Sequence, residues 1–107
     1  MTASMEKPAS TPENIVSLEV RVWGRVQGVG FRYFAHDLAR RLRLVGYVTN
    51  LPDGSVQAYA EGSRSSLEEF LRRVEKGPSS AHVREARSHW GQASGQYTSF
   101  GIERGGW

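Results

Sequence analysis

The sequence has no cysteine among its 107 residues. Disulfide staples, thiolate nucleophiles and cysteine-based metal sites are therefore excluded, and the composition fits a reducing cytoplasm. No apolar run approaches the ~20 residues that a spanning helix needs, so no membrane partner is expected. Proline is sparse, at 4 residues. Two of the four, Pro8 and Pro12, fall in residues 1–14, which lack the apolar centre of a signal peptide. Small polar residues fill the rest of that segment, which predicts a disordered leader. Acidic charge is in mild deficit: 14 Lys and Arg stand against 11 Asp and Glu, a net charge of +3. The balance favours anionic ligands, either a small phosphate compound or a nucleic-acid backbone. The excess is mostly arginine, much of it expected on solvated helix faces. At this length one small domain is expected, over 15–104, with 105–107 as a tail and a monomer as the default state.

Regular patterning begins at Val16. Val16, Leu18, Val20 and Val22 alternate with Ser17, Glu19, Arg21 and Trp23, the period of a half-buried strand. A glycine-rich run from Gly24 to Arg32 follows. Phe31, Phe34, Leu38 and Leu42 then recur at helical spacing, with Ala35 and Ala39 alongside and Arg40, Arg41 and Arg43 turned outward. Val45–Leu51 and Ser55–Glu61 read as strands around the turn Pro52-Asp53-Gly54. Ser65-Ser66-Leu67-Glu68 has the form of a capping box, opening a helix with the stripe Leu67, Phe70, Leu71 and Val74. Gly77-Pro78 closes that helix. Val83–Trp90 and Ser99–Arg104 are the remaining strands. Strand, helix, strand, strand, helix, strand, plus a short appended strand is the α+β pattern of a ferredoxin-like α/β sandwich. Its antiparallel sheet carries two helices on one face.

The glycine-rich run joins a strand to the start of a helix. Gly28 and Gly30 lack a β-carbon, so the backbone can turn tightly and aim successive N–H groups at one point. The helix starting near Phe31 adds unpaired N–H groups and the positive end of its dipole. Together they form a nest for an anion. Arg32, in the first helical turn, can fold back and grip two phosphate oxygens. The run has neither the Gly-Lys-Ser/Thr ending of a Walker loop nor the third glycine and acidic partner of a dinucleotide fingerprint. On spacing alone, an ordinary Gly-x-Gly turn with a solvated arginine fits as well.

Two blocks together are more specific. Gly24-Arg25-Val26-Gln27-Gly28-Val29-Gly30-Phe31-Arg32 is followed by Gly46-Tyr47-Val48-Thr49-Asn50 and Asp53-Gly54-Ser55-Val56. In content, order and separation they resemble the two signature segments of the acylphosphatases, and the resemblance runs from about Val16 to Ile102. It implies hydrolysis of the carboxyl–phosphate bond of a small acyl phosphate. Arg32 would bind the phosphoryl group and Asn50 would position the attacking water. The backbone N–H groups of Gln27, Gly28, Val29, Gly30, Phe31 and Arg32 would line the cradle. No cofactor and no metal are implied. The physics allows so sparse a site, because a carboxylate leaving group of pKa about 4 needs no general acid and phosphoryl transfer rests on positioning and electrostatics.

Other readings start from the same residues. RNA-recognition domains share the topology and stack bases on strand aromatics. Gly30-Phe31-Arg32-Tyr33-Phe34 superficially resembles their motif, but here Phe31 and Phe34 fall on a helix stripe, so no nucleic-acid partner is expected. A catalytically silent anion-binding domain would be expected to lose Arg32 or Asn50, and both are present. Asn50 taken alone is ordinary turn chemistry. His36, His82 and His89 are expected to be surface or packing residues, and Trp23, Trp90 and Tyr59 to pack on or cover the sheet. The Gln27 side chain is expected to brace the loop. The ending Phe100-Gly101-Ile102-Glu103-Arg104 departs from the family's usual Phe-x-Ile-Arg-Tyr, and Gly101 is expected to weaken the last strand.

Overall fold

The computed structural model describes residues 14–104. The expected leader, Asn14 apart, and the expected tail at 105–107 lie outside the described residues. The elements are β1 (Ile15–Arg25), α1 (Phe31–Arg41), β2 (Val45–Asn50), β3 (Val56–Ser63), α2 (Arg64–Lys76), β4 (His82–Gln92) and β5 (Phe100–Glu103).

The alternation in β1 sets the layers. Leu18, Val20 and Val22 are buried, and across the ladder they face Ala60, Ala58 and Val56 of β3. Phe31, Ala35, Leu38 and Ala39 of α1 and Leu67, Phe70 and Val74 of α2 close over these strand residues in one hydrophobic core. Both helices therefore cover the same face, as the periodicities predict.

The sheet order is β4-β1-β3-β2-β5. The first four strands are antiparallel neighbours, but β5 runs parallel to β2. The sheet is thus mixed, which corrects the expectation of a wholly antiparallel one. The cause is the connection from β4 at one edge to β5 at the other, which crosses the face opposite the helices. Tyr97 of that crossing lies against Tyr47 and Tyr59, with ring centroids 6.1 and 5.5 Å away. Ser94 and Gly95 donate backbone N–H groups to the buried Glu61 carboxylate at 2.8 and 3.1 Å. Ser94 Oγ and the Tyr59 hydroxyl donate to it as well. Burial pushes the Glu61 pKa up, but these four hydrogen bonds outweigh it and hold the pKa below its ordinary value. Despite Gly101, β5 forms, pairing from Gly46↔Phe100 to Thr49↔Glu103.

One local expectation fails. The second helix starts at Arg64, and its cap is Ser63, whose Oγ accepts from Ser66 N at 3.3 Å. The supposed box at Ser65 lies inside the first turn. Ser63 is still extended (φ −67°, ψ 150°), the backbone that an N-cap requires.

Candidate active site

β1 continues past the expected strand end, through an irregularity between Trp23 and Gly24, to Arg25. The loop proper is therefore only residues 26–30. Gly28 and Gly30 adopt φ of 76° and 79°, where a β-carbon is disfavoured by its own backbone. An added Cβ would meet no atom within 4 Å at either residue, so the requirement is conformational and not spatial. Gly30 is the N-cap of α1 and supplies no side-chain cap. The first backbone bond closing the helix is Phe34 N to Gly30 O, 3.0 Å. The N–H groups of the first turn therefore lack a side-chain acceptor, the condition for an anion site at a helix start.

A cavity of about 80 Å³ opens there, lined by Val26, Gly28, Gly30, Phe31, Arg32, Tyr33 and Asn50. Asn50 ends β2 and pairs with the core-facing Val56, which puts it on the helix side of the sheet. Two residues far apart in sequence, Arg32 and Asn50, thus share one small cavity with the glycine turn. Arg32 has no carboxylate partner among the described residues, and its Nη1 lies 3.5 Å from Glu103 O, a long contact that leaves the guanidinium available. A wider groove of about 450 Å³ beside Arg40 and Arg43 contains none of the loop residues.

Of the expected cradle residues, Gln27 and Val29 do not line the cavity. The Gln27 amide donates from Nε2 to Leu51 O at 2.8 Å and to Ser55 O at 2.9 Å. It stitches the loop to the turn that follows Asn50. Val29 O accepts from Ser80 Oγ at 2.8 Å. Any part these two play in the cradle is through backbone N–H groups.

The turn between β2 and β3 is tied down further. Leu51 N donates to Ser55 O at 2.9 Å, and Gly54 N to Leu51 O at 3.0 Å. Asp53 accepts from the fully buried Ser55, at 3.0 Å from its N–H and 2.6 Å from its hydroxyl. Asp53 also takes Trp23 Nε1 at 3.0 Å and Arg21 Nη2 at 2.8 Å. The Ser55 bonds, then the Trp23 bond, and last the Arg21 charge hold the Asp53 carboxyl well below the usual carboxylate range. Sequence reading took Asp53 as a turn former only and Trp23 as sheet cover. Its alternation with Val22 placed Trp23 on the open face, but nothing in the sequence linked it to a turn 30 residues away.

None of the histidines lines the cavity. His36 is half-buried beside Phe100, while His82 and His89 are exposed on β4. Trp90 carries the Arg64 guanidinium 4.1 Å from its ring centroid, and Tyr59 stacks on Tyr47 at 5.8 Å. Both cover sheet surface, as expected. Among the described residues no three His, Asp or Glu side chains come together in a metal-binding group. No helix among them is long and apolar enough to cross a membrane.

The family model described as acylphosphatase matches residues 18–102. The chain is 45% identical over 89 residues to an acylphosphatase of Trichormus variabilis, covering 82% of this chain and 88% of that one. It is 53% identical over 70 residues to an acylphosphatase of Archaeoglobus fulgidus, covering 65% and 79% respectively. The crystal structure of acylphosphatase from Bacillus subtilis superposes with a TM-score of 0.79 at 34% identity, covering 82% of this chain and 98% of that one. The chain belongs to the acylphosphatase family.

Proposed function

We propose that the protein hydrolyses acyl phosphates at the cavity between the 26–30 loop and Asn50, without a metal. The observation that carries this reading is the meeting of Arg32, Asn50, Gly28 and Gly30 around one cavity of about 80 Å³.

The phosphoryl oxygens sit against the N–H groups of the glycine turn and the first turn of α1, where the helix dipole adds positive potential. Arg32 closes over two of them in a bidentate grip. The Asn50 amide oxygen accepts a hydrogen bond from the water and points its lone pair at phosphorus. Water oxygen bonds to phosphorus as the bond from phosphorus to the acyl oxygen breaks. The electron pair leaves with the carboxylate, and the water's proton passes to phosphate or solvent. Spreading charge onto the equatorial oxygens is what Arg32 and the N–H nest stabilise. Gln27 supports the site from outside, holding the loop to the turn beside Asn50. The lack of cysteine and the small single domain support a cytoplasmic monomer.

Incubation of the purified protein with acetyl phosphate tests the reading. Release of inorganic phosphate that persists in excess chelator is expected. No release, or release abolished by the chelator, would contradict it.

A further inference from the structure

Beyond the last β1–β4 pair, Arg25 with His82, the two strands run on into loops that meet. One is the 26–30 loop; the other, residues 77–81, connects α2 to β4. That connection is held on both sides. Gly77 lies so close to α1 that an added Cβ would stand 2.8 Å from the ring of the buried Phe31. Ala81 N donates to Pro78 O at 2.9 Å, closing a turn with Ser80 at its third position, and Ala81 and Val83 pack against the core. From this turn the Ser80 hydroxyl donates to Val29 O at 2.8 Å.

Val29 stands between Gly28 and Gly30, and that setting gives the peptide unit after it freedom to turn. Glycine takes φ of either sign at similar cost, so the Val29–Gly30 peptide can rotate about ψ of Val29 and φ of Gly30. The residue that permits the observed turn, with Gly30 at φ 79°, also permits the inverted one. In a trans peptide the C=O and N–H groups point in opposite directions, and the described chain has no cis peptide. A hydroxyl that holds Val29 O on its own side therefore aims Gly30 N–H the other way. Gly30 lines the cavity with Arg32 and Asn50, and Val29 does not. We infer that Ser80 is a positioning residue for the anion nest: it selects the orientation of the Val29–Gly30 peptide in which Gly30 N–H faces the phosphoryl group. Gln27 fixes where the loop sits, by tying it to the turn after Asn50; Ser80 fixes the direction of one donor. The inference rests on the reading of this cavity as a phosphoryl site and adds to it a residue from another loop.

The test measures the dissociation constant of inorganic phosphate by amide NMR titration, and kcat and KM for acetyl phosphate. The proteins compared are the wild type, Ser80→Ala, Ser80→Thr and Ser79→Ala. Ser80→Ala should weaken phosphate binding and lower kcat/KM by a similar factor of roughly three- to tenfold, the scale of one neutral hydrogen bond. The phosphate-induced shift of the Gly30 amide proton should shrink at saturation in that variant, while that of Phe31 is retained. Ser80→Thr keeps the hydroxyl and should behave as wild type, as should Ser79→Ala. Serines 79 and 80 are both exposed, so all four proteins should share one melting temperature. Unchanged phosphate binding in Ser80→Ala, or failure of threonine to restore it, would overturn the inference. A loss shared by Ser79→Ala, or accompanied by a fall in melting temperature, would overturn it by making the effect one of loop folding. If the wild-type protein binds phosphate in this way but releases none from acetyl phosphate, the hydrolytic reading fails and the positioning role stands. If the wild-type protein binds no phosphate, both fall.

Discussion

Each helix follows a central strand, α1 after β1 by way of the 26–30 loop and α2 directly after β3, and each has an arginine in its first turn. Ser63 caps α2 with its own hydroxyl, and Arg64 is spent on Glu68 at 3.3 Å and on the Trp90 ring. The α1 helix has a left-handed glycine for its N-cap and no side-chain cap, and neither helix has an acidic residue in its first turn. Arg32 there has no carboxylate partner among the described residues. An arginine at the positive end of a helix works against the dipole. Where a local rule is broken without compensation inside the chain, a ligand is the natural compensation. One helix start is finished by the protein; in the proposed reading an anion finishes the other.

Changing Arg32 should have the largest effect. Arg32→Lys keeps the charge but loses the bidentate fork, and kcat/KM for acetyl phosphate should fall by ~10³-fold. Near-wild-type turnover would sink the clamp. Asn50→Ala should lower kcat by ~10²-fold, the scale of a misplaced nucleophile, while inhibition by phosphate persists. A parallel loss of phosphate affinity would make Asn50 a binding residue instead. Gly30→Asp places a negative charge at the start of α1, in a left-handed position that aspartate tolerates. Phosphate inhibition should weaken ~10-fold or more, with the melting temperature nearly unchanged. The converse substitution, Ser63→Ala, should cost about 1 kcal/mol in a denaturant titration and leave turnover alone.

The smallest effect concerns the turn beside Asn50. The Asp53 pKa is depressed in the folded state, so the stability it adds is fully present above its unfolded value of about 4 and is lost as pH falls below that. In Asp53→Asn this part of the acid dependence should vanish. A wild-type acid slope in the variant would show that the network around Asp53 is not coupled to folding.

Much of this was legible in the sequence because it depends on period and on backbone chemistry. The alternation in β1, the stripe from Phe31 to Leu38 and the turn at Asp53-Gly54 each specify an element locally. Arg32 and Asn50 were legible only as members of two matching blocks, since the spacing of either alone has an ordinary explanation. What escaped was decided by tertiary placement. The parallel pairing of β5 depends on a crossing anchored by Glu61. The cap of α2 depends on how far β3 extends, so Ser63 displaced Ser65. The network of Arg21, Trp23, Asp53 and Ser55 joins residues from distant strands. Ser80 shows no signal at all until the start of β4 lies beside the end of β1.

The most direct test of the contrast between the helix starts is an amide NMR titration with inorganic phosphate. The resonances of Gly28, Gly30, Phe31 and Arg32 should shift and saturate together, while those of Arg64, Ser65 and Ser66 stay still. Shifts confined to other residues, or equal shifts at both helix starts, would contradict the assignment of α1 as the phosphoryl cradle.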